Sequence, residues 1–323
     1  MGRVLVTAAV PGEAADRLAA DHEVTYRAVD SPMPRDELLE AVSGVDGLVA
    51  MLVDRIDDEL LDAAGPSLRI IANVAVGYDN VDLTACADRG VVVTNTPGVL
   101  TDATADIAIA LLLMSTRRLG AAERRVRTGE PWGWSMTAGL GIGLRGSTLG
   151  VVGPGAIGLA TARRAKALGM EVLLSGRSEP DAGVVEGLAA RVVDLHELLA
   201  TSDVVSLHCP LTASTHHLIG APELASMKST AHLVNTSRGP VVDEGALVLA
   251  LEAGTIAGAG LDVFENEPRV HPGLLGRDDV VLLPHVGSAT TQTRAAMADL
   301  AADNVLAVLA GEDPSTPVKP PDD

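Results

Sequence analysis

The chain has 323 residues and a mass of 33.1 kDa, enough for two α/β domains of ordinary size. Asp and Glu outnumber Lys and Arg by 43 to 24, a formal net charge of −19 that argues against nucleic acid as a partner. We expect a cytoplasmic protein with no membrane partner, because the sequence shows neither a signal peptide nor an apolar run long enough to span a bilayer. The two cysteines, Cys86 and Cys209, lack metal-ligand spacing, so no metal site is expected.

The first hundred residues alternate short β-branched runs with amphipathic segments. This alternation predicts parallel strands joined by crossover helices. Strands are predicted at Val4–Ala8, Glu23–Arg27, Gly47–Met51, Arg69–Asn73 and Val91–Thr94, and helices near 12–20, 36–42, 57–64 and 82–88.

A second alternation begins near Ser147, after a long apolar helix at about 102–118 and a glycine-rich stretch at 129–146. The last helix is predicted over 290–310, and the Pro- and Asp-rich tail at 314–323 is expected to fray. We therefore predict an α/β protein with two doubly wound parallel sheets. The strands of the second half are predicted at Thr148–Val152, Glu171–Ser175, Arg191–Val193, Val204–His208, Ala231–Thr236, Ile256–Val263 and Val280–Leu283.

Two segments match the dinucleotide-binding pattern Gly-x-Gly-x-x-Gly. Residues 141–146 run from a glycine-rich stretch into a strand, so we interpret them as a loop. Residues 153–158 follow a predicted strand and begin a helix, which is the context that the motif requires. The second segment is therefore the candidate dinucleotide site.

Each residue of that segment has a distinct expected role. Gly153 permits the tight turn, Gly155 lets the backbone approach a pyrophosphate, and Gly158 allows close helix–strand packing. Because Pro154 has no N–H group, the amides at the helix N-terminus must bind the phosphate. These are the amides of Ala156 and Ile157.

The end of the next strand bears on the choice of cofactor. A site for NAD usually places an acidic residue there, to bind the ribose 2′-hydroxyl. Here the strand is followed by Gly176, Arg177 and Ser178, and an arginine can pair with a 2′-phosphate. We therefore expect NADP(H) to be preferred, with NAD(H) possible.

Polar residues follow three other predicted strands, in the segments 235–239, 262–268 and 284–289. Ligands of open parallel sheets bind at the carboxyl ends of the strands, so all three segments should face the same side as the glycine loop.

These segments together resemble the D-isomer-specific 2-hydroxyacid dehydrogenases, and the resemblance runs over almost the whole chain. A more limited likeness, in residues 51–57, the Gly77 loop and 96–104, points to the glyoxylate/hydroxypyruvate reductase branch. The motifs that carry the family resemblance are Val76–Asp82, Thr96–Thr104, Gly153–Gly158, His208–Thr212, Asn235–Asp243 and the pair Glu267 and His285.

The resemblance implies hydride transfer between a nicotinamide cofactor and a small 2-oxo or 2-hydroxy acid. Arg238 would bind the substrate carboxylate and polarise the ketone oxygen. His285 would give a proton to that oxygen during reduction, and Glu267 would orient its ring and favour the imidazolium form.

Further roles follow from the same resemblance. The amides of Val76 and Gly77 would form a second carboxylate clamp, and Leu52 would line the side-chain pocket and favour a small substrate. His208, His216, His217 and His232 are expected to pack near the cofactor edge or to face solvent. The remaining residues implied in cofactor binding are Thr104, Cys209, Pro210, Thr215, Thr236, Asp262 and Gly287.

The resemblance also implies a domain division and a homodimer. Residues 1–98 with 286–323 would form the substrate domain, and residues 99–285 the NAD(P)-binding Rossmann domain. The segment with Trp132 and Trp134 would reach a partner subunit, although its spacing departs from the family pattern.

Two alternatives remain open at this point. One is an NAD-dependent dehydrogenase of another D-2-hydroxy acid, such as D-lactate or phosphoglycerate. The other is a non-enzymatic, nucleotide-sensing corepressor, which would need the cofactor site but not the proton donor.

Overall fold

In a computed structural model, which describes residues 1–177 and 180–320, the chain forms two compact units. One unit comprises Met1–Leu100 and Ser288–Asp323, and the other comprises Thr101–Gly287. The polypeptide thus leaves the first unit once and returns to it with its last segment.

Residues 1–100 fold as alternating strands and helices. The strands are β1 (Arg3–Val6), β2 (Glu23–Tyr26), β3 (Gly47–Ala50), β4 (Ile70–Asn73) and β5 (Val92–Thr94), and the helices are α1 (Ala14–Asp21), α2 (Arg35–Ala41), α3 (Asp58–Ala64) and α4 (Leu83–Asp88).

Residues 101–287 begin with two consecutive helices and then alternate again. The helices are α5 (Thr101–Thr116), α6 (Leu119–Arg127), α7 (Ala156–Ala167), α8 (Ala182–Leu188), α9 (Leu195–Thr201), α10 (Ala221–Ser226) and α11 (Glu244–Glu252). The strands are β6 (Thr148–Val152), β7 (Glu171–Ser175), β8 (Arg191–Val192), β9 (Val204–Leu207), β10 (His232–Asn235), β11 (Gly258–Leu261) and β12 (Val280–Leu282).

The chain ends with a long helix, α12 (Thr291–Ala310), and a short strand, β13 (Pro317–Val318). The expectation that the tail frays is wrong for the residues around β13, which pairs antiparallel with β5. The buried side chain of Asn304 accepts the N–H of Ser315 at 2.9 Å and donates to the Thr316 hydroxyl at 2.8 Å. One buried amide therefore holds a segment that its composition marks as disordered.

Both units confirm the predicted doubly wound architecture. The first sheet has the order β13-β5-β4-β3-β1-β2, and every pairing except that of β13 is parallel. The second sheet has the order β12-β11-β10-β9-β6-β7-β8 and is parallel throughout. The order around β6 is that of a dinucleotide-binding fold, and the order around β1 is that of a flavodoxin-like fold.

Small residues let helices lie close to the second sheet. A Cβ added at Gly150 of β6 would come within 2.4 Å of the Leu198 side chain, and one at Gly260 of β11 within 3.0 Å of Leu111. The core is aliphatic, with Phe264 as the buried aromatic exception. Close aliphatic packing thus replaces large aromatic side chains in this chain.

Acidic side chains cap many of the helices. Their carboxylates accept a backbone N–H from the first turn, which satisfies a donor that the helix itself leaves unbonded. Caps of this kind are Asp57, Asp82, Asp181, Asp194 and Asp243. Within residues 1–177 and 180–320, no helix combines the length and apolarity needed to cross a membrane.

Candidate functional site

The glycine loop between β6 and α7 has the shape expected of a phosphate cradle. Gly153 has φ 91°, and an added Cβ would lie 2.6 Å from the Cys209 nitrogen. An added Cβ at Gly158 would lie 2.3 Å from the Gly153 oxygen. Above Gly155, by contrast, the described chain has no heavy atom within 4 Å of such a Cβ. The loop therefore fits a pyrophosphate approaching Gly155 and the first amides of α7, those of Ala156 and Ile157.

The other glycine motif serves packing. Residues 141–146 lie in the loop before β6, as predicted. A Cβ at Gly141 would come within 2.2 Å of the Thr116 oxygen, and Ile142 donates its N–H to the same oxygen at 3.0 Å. This loop packs against the end of α5. No strand of the described chain directly precedes it, so it does not form the turn between a strand and a helix that binds phosphate.

Arg177 is exposed directly after β7. The preceding Gly176 lies against Pro154 of the glycine loop, where an added Cβ would be 2.6 Å from the Pro154 Cδ. The end of β7 therefore lies beside the glycine loop, and the backbone of Arg177 follows at the edge of that loop. Ser178, the second residue expected to bind a 2′-phosphate, lies outside the described residues.

The segment after β9 forms the floor of the glycine turn. Cys209 is buried beneath Gly153, and burial raises the pKa of its thiol to about 11, so the thiol is a wall rather than a nucleophile. Pro210 is exposed, and its carbonyl accepts the Thr215 hydroxyl at 2.6 Å. The Thr215 hydroxyl also accepts the Thr212 N–H at 2.8 Å, so it shapes this turn.

His285 and Glu267 form a direct pair beyond the ends of β12 and β11. His285 Nδ1 donates to Glu267 Oε2 at 2.8 Å, and Glu267 Oε1 accepts the Phe264 N–H at 2.9 Å. Burial raises the pKa of Glu267, but the hydrogen bond and charge of His285, with the charge of Arg238, bring that pKa below its usual value. Glu267 is thus an ionised partner that fixes the ring and leaves Nε2 as the nitrogen available to a substrate.

Asp262, at the end of β11, anchors the loop that carries His285. Its carbonyl accepts the His285 N–H at 2.9 Å, and its two carboxylate oxygens accept the amides of Val286 at 2.8 Å and Gly287 at 2.7 Å. Burial raises the pKa of Asp262, and the two amides oppose that shift. The family resemblance implied a cofactor contact for this residue; its anchoring of residues 285–287 is an addition from the structure.

Arg238 follows β10 on a loop that packs tightly against the Glu267 segment. The Arg238 carbonyl accepts the Asn235 side-chain amide at 2.9 Å, and its guanidinium donates to the Ser237 carbonyl at 2.9 Å. At the next residue, Gly239, an added Cβ would lie 1.9 Å from the Phe264 carbonyl carbon. Glycine is therefore required for the Arg238 loop to approach the segment with Glu267.

Three further predicted cofactor residues lie beside these loops. Thr104 in the first turns of α5 is buried next to Gly287, where an added Cβ would be 3.3 Å from the Thr104 methyl carbon. Thr236, directly after β10, is buried, and its hydroxyl has no hydrogen-bond partner within the described residues.

In the first unit, two asparagines hold the loop after β4. Asn95 Nδ2 donates to the Val76 carbonyl at 2.8 Å, and Asn73 Nδ2 donates to the Gly77 carbonyl at 3.0 Å. Both carbonyls are thereby fixed, which sets the direction of the intervening peptide. Our sequence interpretation missed these asparagines; their one signal was a polar residue at a strand end. Leu52 is 36% exposed on the loop after β3.

One histidine, His232, lies differently from the expectation. His232 is at the amino end of β10, the end opposite to the site, where its Nδ1 lies 2.7 Å from the Ser115 hydroxyl. His217 pairs with a carboxylate, since its Nε2 donates to Glu265 Oε1 at 2.7 Å. His208 bonds the Ser206 hydroxyl at 2.9 Å, and burial lowers its pKa to about 4.

Across the described ranges, no three His, Cys, Asp or Glu side chains are grouped to hold a metal ion.

Comparison with known proteins identifies the class. The family model for the D-isomer specific 2-hydroxyacid dehydrogenase, NAD binding domain, matches residues 109–287. A glyoxylate reductase from Thermococcus litoralis is 49% identical over 318 residues, which cover 97% of this chain and 95% of that protein. The chain therefore belongs to the D-isomer-specific 2-hydroxyacid dehydrogenase family and is an NAD(P)-dependent oxidoreductase. Within the family, it groups with the glyoxylate reductase branch, as the motifs suggested.

Solved structures agree with this placement. The crystal structure of a glyoxylate reductase from Paecilomyes thermophila superposes with a TM-score of 0.89 at 36% identity, covering 98% of both chains. An NADPH-dependent glyoxylate/hydroxypyruvate reductase from Sinorhizobium meliloti gives a TM-score of 0.84 at 40% identity, also with 98% of each chain covered. The family and the paired site residues together define a 2-oxo acid reductase.

Proposed function

We propose that this enzyme reduces small 2-oxo acids, glyoxylate and hydroxypyruvate first among them, and that it prefers NADPH to NADH. The observation that carries the proposal is the 2.8 Å pairing of His285 with Glu267, beside the Arg238 loop and on the carboxyl side of a dinucleotide-binding sheet. A nucleotide sensor has no need of an oriented proton donor. The names of the relatives support the choice of substrates.

The substrate is an anion with a ketone or aldehyde oxygen next to its carboxylate. Arg238 would bind the carboxylate and stabilise the negative charge that develops on the carbonyl oxygen. Because the chain is strongly acidic overall, this attraction must be local, and the half-buried Arg238 at a strand end suits that requirement.

His285 would supply the proton. Nδ1 is bonded to Glu267, so Nε2 of the protonated ring gives its hydrogen to the carbonyl oxygen as the carbon accepts a hydride. The products are the 2-hydroxy acid, of D configuration where that carbon is chiral, and a neutral imidazole that solvent reprotonates. In the oxidation direction, the same nitrogen would act as the base.

The dinucleotide, when bound, supplies the hydride from its nicotinamide ring. The residues that would hold it are Gly153, Gly155, Gly158 and the amides of Ala156 and Ile157 at the phosphates, with Cys209, Pro210, Thr215, Thr104, Thr236, Asp262 and Gly287 along the remaining length. This assignment rests on the fit of the glycine turn to a phosphate and on the family model.

The proposed preference for NADPH rests on Arg177. An acidic side chain after β7 would repel a 2′-phosphate, whereas the exposed guanidinium can pair with it. A relative at 40% identity is described as NADPH-dependent, which supports the same choice.

In the first unit, we assign substrate contacts to Val76, Gly77 and Leu52. The backbone N–H groups of Val76 and Gly77 would donate to a carboxylate, in a loop whose two carbonyls are already fixed by Asn95 and Asn73. The partly exposed Leu52 would form an apolar wall suited to a small side chain.

We also propose a cytoplasmic homodimer. Between α6 and β6, the chain exposes apolar side chains to an extent unusual for a monomer, including Trp132 at 61%, Trp134 at 79% and Met136 at 73%. A second copy of the chain would cover them. Sedimentation at micromolar concentration tests this assignment, and a monomer that persists at high concentration would contradict it.

The proposed function is tested by mixing the purified protein with NADPH or NADH and a panel of 2-oxo acids, with absorbance followed at 340 nm. We expect the highest kcat/KM with glyoxylate or hydroxypyruvate, lower values with pyruvate and larger acids, and a preference for NADPH. A panel on which no acid is reduced with either cofactor would contradict the proposal.

A further inference from the structure

The second unit contains another imidazole–carboxylate pair, His217 and Glu265, whose carboxylate lies two residues before Glu267 in the sequence. His217 Nε2 donates to Glu265 Oε1 at 2.7 Å, and the two side chains are 36% and 25% exposed. Because a carboxylate accepts hydrogen bonds, Nε2 carries the hydrogen. The direct role assigned to His285 and Glu267 leaves this second pair without a function.

His217 joins the two loops that carry the proposed catalytic groups. Its backbone N–H donates to the Pro240 carbonyl at 2.8 Å, on the Arg238 loop, while its ring reaches Glu265 on the segment that continues to Glu267. To do both, His217 adopts φ 52°, a left-handed conformation that costs energy for residues other than glycine.

Glu265 is held from its other side by the start of α11. Its N–H donates to the buried Glu244 carboxylate at 2.8 Å, and burial raises the pKa of Glu244. The residue before Glu265, Phe264, lies against Gly239. The Arg238 loop and the segment with Glu267 are therefore already in van der Waals contact. His217 adds a hydrogen bond to each of the two loops.

We propose that His217 and Glu265 are positioning residues that fix the Arg238 loop relative to the Glu267–His285 pair, an inference that rests on the proposed function. Misplacement of reacting groups by about 1 Å can cost about a hundred-fold in rate. Loss of the bond should therefore lower turnover of the 2-oxo acid and leave the glycine cradle for the cofactor unchanged.

The test compares His217→Asn with His217→Gln. Asparagine tolerates the left-handed backbone but is one carbon too short to reach Glu265, whereas the amide of glutamine can restore the donor. We expect His217→Asn to lower kcat/KM for glyoxylate about ten-fold or more, with the Kd for NADPH within about two-fold of wild type. His217→Gln should recover most of that loss, and His196→Asn on α9 serves as the remote control.

The outcomes separate the two proposals. A wild-type enzyme that reduces no 2-oxo acid contradicts the proposed function itself. An active wild type whose His217→Asn variant has unchanged kcat/KM, with or without a lower melting temperature, contradicts the positioning role alone. Equal losses in the Asn and Gln variants would also contradict it, because they would show that the hydrogen bond is not what matters.

Discussion

His285 donates through Nδ1 to Glu267 Oε2 at 2.8 Å while its own backbone is held at φ 54°. That left-handed conformation is unfavourable for histidine and persists because Asp262 binds the backbone N–H groups of residues 285–287. The ring direction is therefore set twice, once by a side chain and once by the backbone. Such strain at the proposed proton donor accords with a preorganised site.

Removing the charge of Glu267 should slow reduction, because its carboxylate orients the ring of His285. The variant Glu267→Gln keeps a hydrogen-bond acceptor but loses the carboxylate, so the imidazolium loses its counter-charge. We expect kcat for reduction at pH 7 to fall about ten-fold or more, because the charge-assisted hydrogen bond that holds the ring becomes a neutral one. Steady-state kinetics with glyoxylate and NADPH test this expectation, and a kcat equal to that of wild type would argue against a functional role for the pair.

Arg177 should determine the preference for NADPH. The variant Arg177→Gln loses a charge-assisted contact worth about 1.5–3 kcal/mol, so the ratio of kcat/KM for NADPH to that for NADH should fall about ten-fold or more. The exposed Arg125→Gln on α6 provides a control of the same substitution. If the ratio is the same in all three proteins, the 2′-phosphate is bound elsewhere.

Asn95 should act on substrate affinity through the Val76 carbonyl. Asn95→Asp has nearly the same shape but replaces the donor with an oxygen that repels that carbonyl. We expect KM for glyoxylate to rise about ten-fold, because a neutral hydrogen bond is lost and the peptide can rotate. The Kd for NADPH should remain at the wild-type value. Unchanged KM for glyoxylate in this variant would exclude a role for the fixed peptide.

The buried His232 should make the protein less stable in mild acid. Burial lowers the pKa of His232 from an ordinary value near 6.5 to about 4, and the charge of Arg118 acts in the same direction. The unfolded chain therefore binds more protons between pH 6.5 and 4, and the free energy of unfolding falls as the pH falls through that range. A histidine with this pKa shift lowers the free energy of unfolding by about 2 kcal/mol between pH 7 and pH 5.

Urea denaturation of wild type and His232→Asn at both pH values measures this contribution. Asparagine can keep a polar atom near Ser115 without titrating, so the variant should lose less stability between pH 7 and 5 than wild type. Equal pH dependence in the two proteins would show that His232 is not a source of the acid sensitivity.

The strands, the glycine cradle and the strand-end residues follow from local patterns. Buried parallel strands are short apolar runs, and the polar residues after them stand out in the sequence, as Asp262 and Arg238 do. The order of strands then brings the ends of β10, β11 and β12 together, which is why the neighbourhood of Arg238, Glu267 and His285 was predictable.

Other features depend on side chains that carry no local signal. Asn304 holds β13 from within a helix, and the polar composition of residues 314–320 gives no sign of that bond. His217 resembles any exposed histidine in a turn until the fold brings Glu265 to it, 48 residues away in sequence. Partnerships of this kind arise from tertiary contacts, which periodicity and spacing do not encode.

The most direct test of the account compares wild type with His285→Gln in single-turnover reduction of glyoxylate by NADPH, alongside cofactor binding by fluorescence. We predict that the variant binds NADPH with a Kd close to that of wild type and loses about 100- to 10,000-fold in the rate of reduction, the range of general acid catalysis. A variant that reduces glyoxylate at the wild-type rate would contradict the assignment of His285 as the proton donor.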